Sequence, residues 1–124
     1  MSKTYDLRVR LIKFASDCID VAENLPRSYA GIHIGSQFIR SASSPALHYG
    51  EAQAAESPSD FIHKMKVCLK ELRETLNAAT LIQFRKWIDN TILSPLIKEN
   101  NELISIFVAS LNTAQKNRKA ASSK

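Results

Sequence analysis

Apolar residues recur at alternating spacings of three and four in two separate stretches of this chain. Residues spaced in this way lie on one side of an α helix, and such a side is stable only when another element covers it. The pattern therefore predicts an all-α fold, and the most economical arrangement is a left-handed, up-down-up-down four-helix bundle. The two stripes are Leu7, Leu11, Phe14, Cys18, Val21 and Leu25, and Phe61, Met65, Cys68, Leu72 and Leu76.

The size of the chain, 124 residues, is that of a single domain. No apolar run approaches the roughly 18 residues that span a bilayer. The first residues lack the basic-then-apolar order of a secretion signal, so we expect a cytoplasmic protein without a membrane partner. Both cysteines lie on the apolar stripes, where a thiol packs as a small hydrophobe. Two cysteines cannot make a disulfide framework, and no pair of ligands has metal-site spacing, so neither metal nor cofactor is expected.

Proline and serine residues mark the expected helix ends. We predict helices over about 3–24, 29–55, 58–83 and 95–115, because a proline disfavours helical geometry in the residue before it and fits well in the first turn. Ser28, Ser57 and Ser94 are the expected N-caps. In residues 84–91, Trp87 and Ile88 are expected to cover one end of the bundle.

The second helix has an unusual stripe in which small residues dominate. Small residues permit close approach of a neighbouring backbone, and a proline inside a helix removes one hydrogen bond and bends it. We therefore expect close packing along this helix and a bend near Pro45. The stripe consists of Gly31, Gly35, Phe38, Ala42, Pro45, Tyr49 and Ala52.

Positive charge is concentrated at the C-terminal end. The chain has 17 basic and 12 acidic residues, and the last thirteen positions contain four of the cations and no acid. We predict a bundle domain over 1–115 and a flexible basic tail over 116–124. The tail is either a solvated chain end or a phosphate-contacting segment, whose binding would depend on salt.

A row of polar residues lies one position ahead of the apolar stripe of the second helix. Polar groups beside a packed seam need hydrogen-bond partners. We predict a network that fixes helix register or subunit geometry, with a ligand or RNA site as the alternative. The predicted members are Gln37, Arg40, Ser41, Ser44, His48 and Glu51 on the second helix, and Lys66, Lys70, Arg73 and Glu74 on the third.

The fourth helix has more apolar residues than one narrow stripe can bury. Either the helix presents a wide side to the core, or one flank is covered by another copy of the chain. The second alternative predicts an oligomer interface. Its expected members are Leu103, Ile104, Phe107, Val108 and Leu111.

No catalytic constellation is evident. His48 and Glu51 share a helical side, but a di-iron bundle needs Glu-x-x-His on two helices and two further inward glutamates. No nucleophile motif or glycine-rich phosphate loop occurs. The sequence therefore predicts a protein that is not an enzyme and has no small-molecule substrate.

Two segments, residues 37–52 and 60–75, resemble the second-helix and third-helix motifs of a bacterial family of four-helix bundles. This family is named after proteins encoded in intervening sequences of 23S ribosomal RNA genes. The resemblance implies an up-down-up-down bundle that assembles into a ring-like homo-oligomer, typically a pentamer, without assigned enzymatic activity. A related branch serves as the accessory subunit of diversity-generating retroelements, which associates with reverse transcriptase and RNA.

Two hypotheses on function follow. The first is a non-catalytic, homo-oligomeric scaffold or interaction protein. The second is an accessory module that binds RNA or a reverse transcriptase through cations that contact phosphate. The cations expected to do so are Arg8, Arg10, Lys13, Arg85, Lys86, Lys116, Arg118 and Lys119.

Overall fold

A computed structural model describes residues 6–122, and they form the predicted all-α four-helix bundle. The helices are α1 (Leu7–Glu23), α2 (Tyr29–Gln53), α3 (Pro58–Arg85) and α4 (Asn90–Ser122). Short connections join them, so consecutive helices run antiparallel. Each helix packs against its neighbours in the chain, and α1 closes the bundle against α4 in the least extensive of the four contacts.

The apolar stripes predicted from spacing form the core. Every member of the first stripe except Leu7 is buried, and Leu7 packs against the core from its edge. On α3, Met65, Cys68 and Leu72 are buried, whereas Phe61 and Leu76 of the predicted stripe are half-buried. Across the core, the ring of Tyr49 packs edge-on against Phe107, with 5.8 Å between ring centroids. Burial raises the pKa of the Tyr49 hydroxyl.

The small residues of α2 allow the close approach that the sequence predicts. A Cβ atom added to Gly31 would lie 2.0 Å from the carbonyl oxygen of Pro26. A Cβ atom on Gly35 would lie 3.4 Å from the Leu25 side chain. The chain before α2 thus folds tightly over its first turns.

Serine caps begin two helices as predicted. The Ser28 hydroxyl accepts the N–H of Gly31 at 3.0 Å, and the Ser57 hydroxyl accepts that of Asp60 at 3.1 Å. At the end of α3, Lys86 adopts a left-handed conformation with φ 57°, which is a common way to end a helix. Trp87 and Ile88 then pack against the core, as expected for residues that cover one end of the bundle.

Pro45 is buried inside α2, which continues from Tyr29 to Gln53. The helix therefore resumes after the proline as predicted. The bend near Pro45 and the left-handed twist of the bundle stay predictions.

The predicted start of α4 at Ser94 and Pro95 is wrong. The helix begins at Asn90, and a side-chain oxygen of Asp89 accepts the N–H of Thr91 at 2.8 Å. Asp89 is therefore the effective cap, and Pro95 lies within the helix. The apolar stripe already extends to Leu93, which is fully buried. Burial of this residue favours helix ahead of the proline.

The predicted end of α4 at residue 115 is also wrong. The helix continues to Ser122, so residues 116–122 are helical, whereas the domain boundary after residue 115 and the flexibility of the tail stay predictions. Alanine, lysine and arginine in this segment favour helix, and Nη1 of Arg118 donates to the Ser59 hydroxyl at 3.2 Å. The end of α4 thus lies against the start of α3. Residues 123–124 of the predicted tail lie outside the described residues.

Candidate interaction surfaces

Two buried hydroxyl groups join α2 to α3 inside the bundle. The Ser41 and Thr75 hydroxyl oxygens are 2.9 Å apart, and both side chains are fully buried. The Thr75 hydroxyl also lies 2.8 Å from the Glu71 carbonyl oxygen, so Ser41 can donate to Thr75 while Thr75 donates to Glu71. The contact joins the two helices at one register, and each hydroxyl also has an acceptor within its own helix, which for Ser41 is the Phe38 carbonyl oxygen at 3.3 Å.

A third buried polar side chain, Asn100, joins α4 to α3. Its amide nitrogen donates to the Leu72 carbonyl oxygen at 3.0 Å, whereas its carbonyl oxygen has no partner in the described part of the chain. Sequence reasoning missed both Asn100 and Thr75. Asn100 continues the core spacing between Leu96 and Leu103, so the heptad-like pattern contained the signal.

Arg40 is the centre of the surface part of the predicted network. It pairs with Glu74 and, at 3.1 Å, with Glu71, and its Nε lies 3.4 Å from the side-chain oxygen of Gln37. Hydrogen bonding to Glu74 and the charge of Glu71 raise the pKa of the guanidinium. Gln37, Arg40 and Glu74 thus meet as predicted, with Glu71 as a member that sequence reasoning missed.

The other predicted members do not join this network. Ser44 and His48 contact only each other, with 3.2 Å between the hydroxyl oxygen and Nδ1, and Glu51 is exposed. Lys66, Lys70 and Arg73 are also exposed, on the outer side of α3 and away from α2. The expectation that these three cations pair with the polar row is therefore wrong. Glu71 and Glu74, on the α2 side of α3, take that place.

The predicted interface on α4 needs a similar correction. Leu103, Phe107 and Leu111 are buried within a single chain, Phe107 completely, so they form core and cannot form an oligomer interface. Ile104 and Val108 are half-buried beside them. For most of the apolar residues of α4, the structure therefore supports the first alternative, a helix with a wide side in the core.

Five of the nine exposed large apolar side chains among the described residues lie on α1 and α2, and the other four, Val67, Leu81, Phe84 and Ile92, lie on α3 and α4. On α2, Tyr29, Ile32 and Leu47 are 90%, 64% and 73% exposed; on α1, Val9 and Ile12 are 52% and 43% exposed. Helical spacing places each group in one stripe, to which the small residues Ser16 on α1 and Ser36, Ser43 and Gly50 on α2 also belong. These nine uncharged residues are called here the apolar face. Arg40 lies within the α2 stripe, between Ser36 and Ser43, and its charge is paired with Glu71 and Glu74.

Gly50 lies on this face, and packing within the described part of the chain does not require glycine at this position. A Cβ atom added there would meet nothing within 4 Å among the described residues. Glycine inside a helix costs about 1 kcal/mol relative to alanine. A residue that is unfavourable in the helix and unnecessary to its packing is suited to close approach by another molecule.

The cations predicted to contact phosphate differ in their availability. Arg10 pairs with Glu99 at 2.7 Å and Glu102 at 3.1 Å, which raises its pKa, and Lys13 pairs with Asp17 at 3.0 Å. Each of these two cations thus has a carboxylate partner within the chain, and phosphate contact by them stays a prediction.

The remaining predicted cations lie at opposite ends of the bundle. Arg85, whose guanidinium lies 5.4 Å from the centre of the Trp87 ring, and Lys86 end α3. Arg8 lies at the other end, about 40 Å away along the 28 residues of α3. The exposed Lys116, Arg118 and Lys119 lie at that same end. The predicted set therefore does not form one continuous surface.

A groove of about 570 Å³ follows the open seam between α1 and α4. Phe14, Val21 and Leu96 form its apolar floor, and Asp17 and Glu99 stand at its edge. Both carboxylates are already paired with Lys13 and Arg10. Asp20, which also lines the groove, makes no ion pair within residues 6–122, so the edge carries one acid besides the paired charges.

The described residues contain no group of three or more side chains suited to a metal ion, and no helix among them is long and apolar enough to cross a membrane. Burial raises the pKa values of both cysteine thiols, that of Cys68 to about 11. A thiol that stays protonated is a poor nucleophile.

Comparison with known proteins identifies relatives of the same architecture. The sequence model of a family described as 23S rRNA-intervening sequence protein matches residues 4–109. A crystal structure of a protein of unknown function from the S23 ribosomal protein family of Bacteroides thetaiotaomicron superposes with a TM-score of 0.79 at 22% identity. The match covers 86% of this chain and 98% of that one. None of the curated proteins compared with the chain matches it.

Proposed function

We propose that this chain, which belongs to the 23S rRNA-intervening sequence protein family, acts by binding and not by catalysis, as a scaffold that associates with copies of itself. The observation that carries the proposal is the apolar face on α1 and α2. Soluble monomers rarely expose a contiguous apolar patch of more than a few hundred Å². A second copy of the chain is always present in solution, so we propose it as the molecule that covers this face.

The chemistry of the apolar face suits self-association. Two such faces can meet with little like-charge repulsion, since the cations that adjoin the face, Lys13 and Arg40, are each paired with carboxylates. Tyr29 and Leu47 supply large contact area, whereas Ser36, Ser43 and Gly50 leave room for a neighbouring helix. The face therefore combines large and small side chains, as closely packed helix interfaces do.

The form of the assembly follows as an expectation from the resemblance to the family. We propose a ring-like homo-oligomer, with a pentamer as the expected number of subunits. The interface lies on α1 and α2 in this proposal, because the structure uses most of the apolar residues of α4 in the core. A reverse transcriptase as a further partner stays a prediction.

Sedimentation velocity at micromolar concentration tests the proposal. The natural chain should sediment with several times its monomer mass of 13.9 kDa. A variant with Ile32→Glu and Leu47→Glu should sediment as a monomer with unchanged helical circular dichroism. A natural chain that sediments as a monomer over the same concentration range would refute self-association.

The matched control adds two charges elsewhere. Asn101 and Asn112 are exposed on the outer side of α4, and changing both to Glu should leave the assembly mass unchanged. If the control dissociates as completely as the first variant, added charge and not the apolar face explains the loss, and the proposed interface is wrong.

A further inference from the structure

Three cations form a row on the outer side of α3. Lys66, Lys70 and Arg73 are separated by four and three residues, so they lie on successive turns of one helical side. All three are exposed, and none makes an ion pair or a side-chain hydrogen bond within residues 6–122. This basic row differs from Arg10, Lys13, Arg40 and Lys64, each of which pairs with a carboxylate.

The carboxylates of α3 pair with cations outside the basic row. Asp60 pairs with Lys64 at 3.2 Å, and Glu71 and Glu74 pair with Arg40 of α2. Those three are the only acids in the sequence of α3. Glu74, four residues after Lys70, lies next to the row, but Arg40 holds its carboxylate, so the outer side of this helix keeps a net positive charge.

The adjoining helix, α4, also has its acids paired away from its outer side. The two acids of α4, Glu99 and Glu102, face α1 and hold Arg10. The outer side of α4 instead exposes neutral hydrogen-bonding groups, with a cation towards each end. These residues are Asn101, Ser105 and Asn112, and the cations Lys98 and Lys116.

We propose that the outer side of α3 and α4 binds the phosphate backbone of a nucleic-acid duplex, with Lys66, Lys70 and Arg73 as its central contacts. Unpaired cations in a line, flanked by neutral donors, suit successive phosphates and carry no sequence information. This inference goes beyond self-association and does not depend on it.

Two features favour a duplex over other polyanions. A single strand is held by aromatic rings on which bases stack, whereas Phe84, the nearest aromatic residue on the outer side of α3, lies about 16 Å along the helix from Arg73. An amphipathic helix that enters a membrane inserts its apolar side, whereas α3 buries its apolar stripe in the core.

Fluorescence anisotropy with a duplex RNA of about 20 base pairs, which exceeds the span of a typical duplex-binding domain, tests the proposal. The probe variant is Lys66→Gln, Lys70→Gln and Arg73→Gln. Three phosphate contacts contribute about 2.7 to the slope of log affinity against log salt, so the natural chain's advantage over the variant should fall about 40-fold between 50 and 200 mM salt. A duplex DNA of equal length should show the same loss of slope.

The matched control removes three cations from α1 and the connection after it: Arg8→Gln, Lys13→Gln and Arg27→Gln. The net charge changes equally, but the salt slope should stay that of the natural chain. Equal loss in both variants would overturn the proposal, as would absence of duplex binding at 50 mM salt. Stronger retention on anionic lipid vesicles than on the duplex, lost in the probe variant, would assign the basic row to a membrane and also overturn it.

Discussion

The outer side of the α1 and α2 pair and the outer side of α3 differ most clearly in the charge that they carry. The apolar face has no charged residue among its nine positions, and Tyr29 and Leu47 are largely exposed there. The basic row has three cations that make no ion pair within residues 6–122. Both sides belong to helices with equally well-buried inner stripes, so the fold itself does not require either character.

The comparison shows where the chain uses its ion pairs. Arg40 ties α2 to α3, and Arg10 ties α1 to α4, both along seams between helices. The carboxylates of α3 and α4 are thereby drawn away from the outer sides. The apolar face is thus available for contact with another copy of the chain, and the basic row is available for contact with an anion.

The largest expected effect is on the free energy of unfolding, and it distinguishes a substitution in the core from one on the apolar face. Phe107→Ala should lower the free energy of unfolding by about 3 to 5 kcal/mol, because it removes a fully buried ring. Leu47→Ala should change the stability of the monomer by less than about 0.5 kcal/mol, since the side chain is mostly in water. Urea denaturation of dilute protein measures both. A large loss for Leu47→Ala would mean that the apolar face is part of the fold.

A second prediction concerns the residue that keeps acids away from the basic row. Arg40→Gln releases Glu71 and Glu74 and removes one cation, so duplex affinity at low salt should fall several-fold although no member of the row has changed. The anisotropy assay measures it. As a control, Lys13→Gln releases Asp17 on α1 and should leave affinity nearly unaltered. Unchanged affinity in Arg40→Gln would show that the seam does not influence the row.

Gly50→Ala tests the apolar face by two opposite effects. Alanine should raise the free energy of unfolding of the monomer by about 0.5 to 1 kcal/mol, because it favours helix and meets open space. If a second copy approaches closely at Gly50, the same change should weaken association in sedimentation. A variant that gains stability and associates as before would place the contact elsewhere on the face.

The smallest expected effect is on acid stability. Hydrogen bonds from Lys64 and from the Thr91 N–H hold the pKa values of Asp60 and Asp89 below their ordinary 3.8. Their contribution is complete above pH 3.8 and is lost as the pH falls through the lowered values. Asp60→Asn with Asp89→Asn should make the loss of stability below pH 3.8 shallower in urea titrations. Lys66→Gln, on the basic row, should not, since no carboxylate lies beside it.

The inner half of the molecule was predictable from the sequence. Spacing identified the stripes of α1, α2 and α3, and serine and proline identified two helix starts. Ser94 and Pro95 misled because they imitate a helix start, although Asp89 offers an equal cap and Leu93 continues the stripe. The residues near the helix start do not decide between Asp89 and Ser94 as the cap, whereas the burial of Leu93 favours Asp89.

The outer half was less predictable, because a surface residue's role depends on which helix lies next to it. Lys66, Lys70 and Arg73 were expected to pair with the polar row of α2, yet on that side of α3 lie Glu74, which was also expected there, and Glu71. Leu103, Phe107 and Leu111 could not be divided between core and interface by periodicity alone, since the stripe of α4 is wide. Gln37, Arg40 and Glu74 were found because a polar row beside a packed seam needs partners.

Copies of this chain cover one another through α1 and α2 in the proposed assembly, while the outer side of α3 stays free. Sedimentation equilibrium of two single variants, Leu47→Glu and Lys70→Glu, distinguishes these two sides. Leu47→Glu should have a mass of 13.9 kDa, and Lys70→Glu should have the full assembly mass. Dissociation of Lys70→Glu together with an intact Leu47→Glu assembly would contradict the proposed assembly.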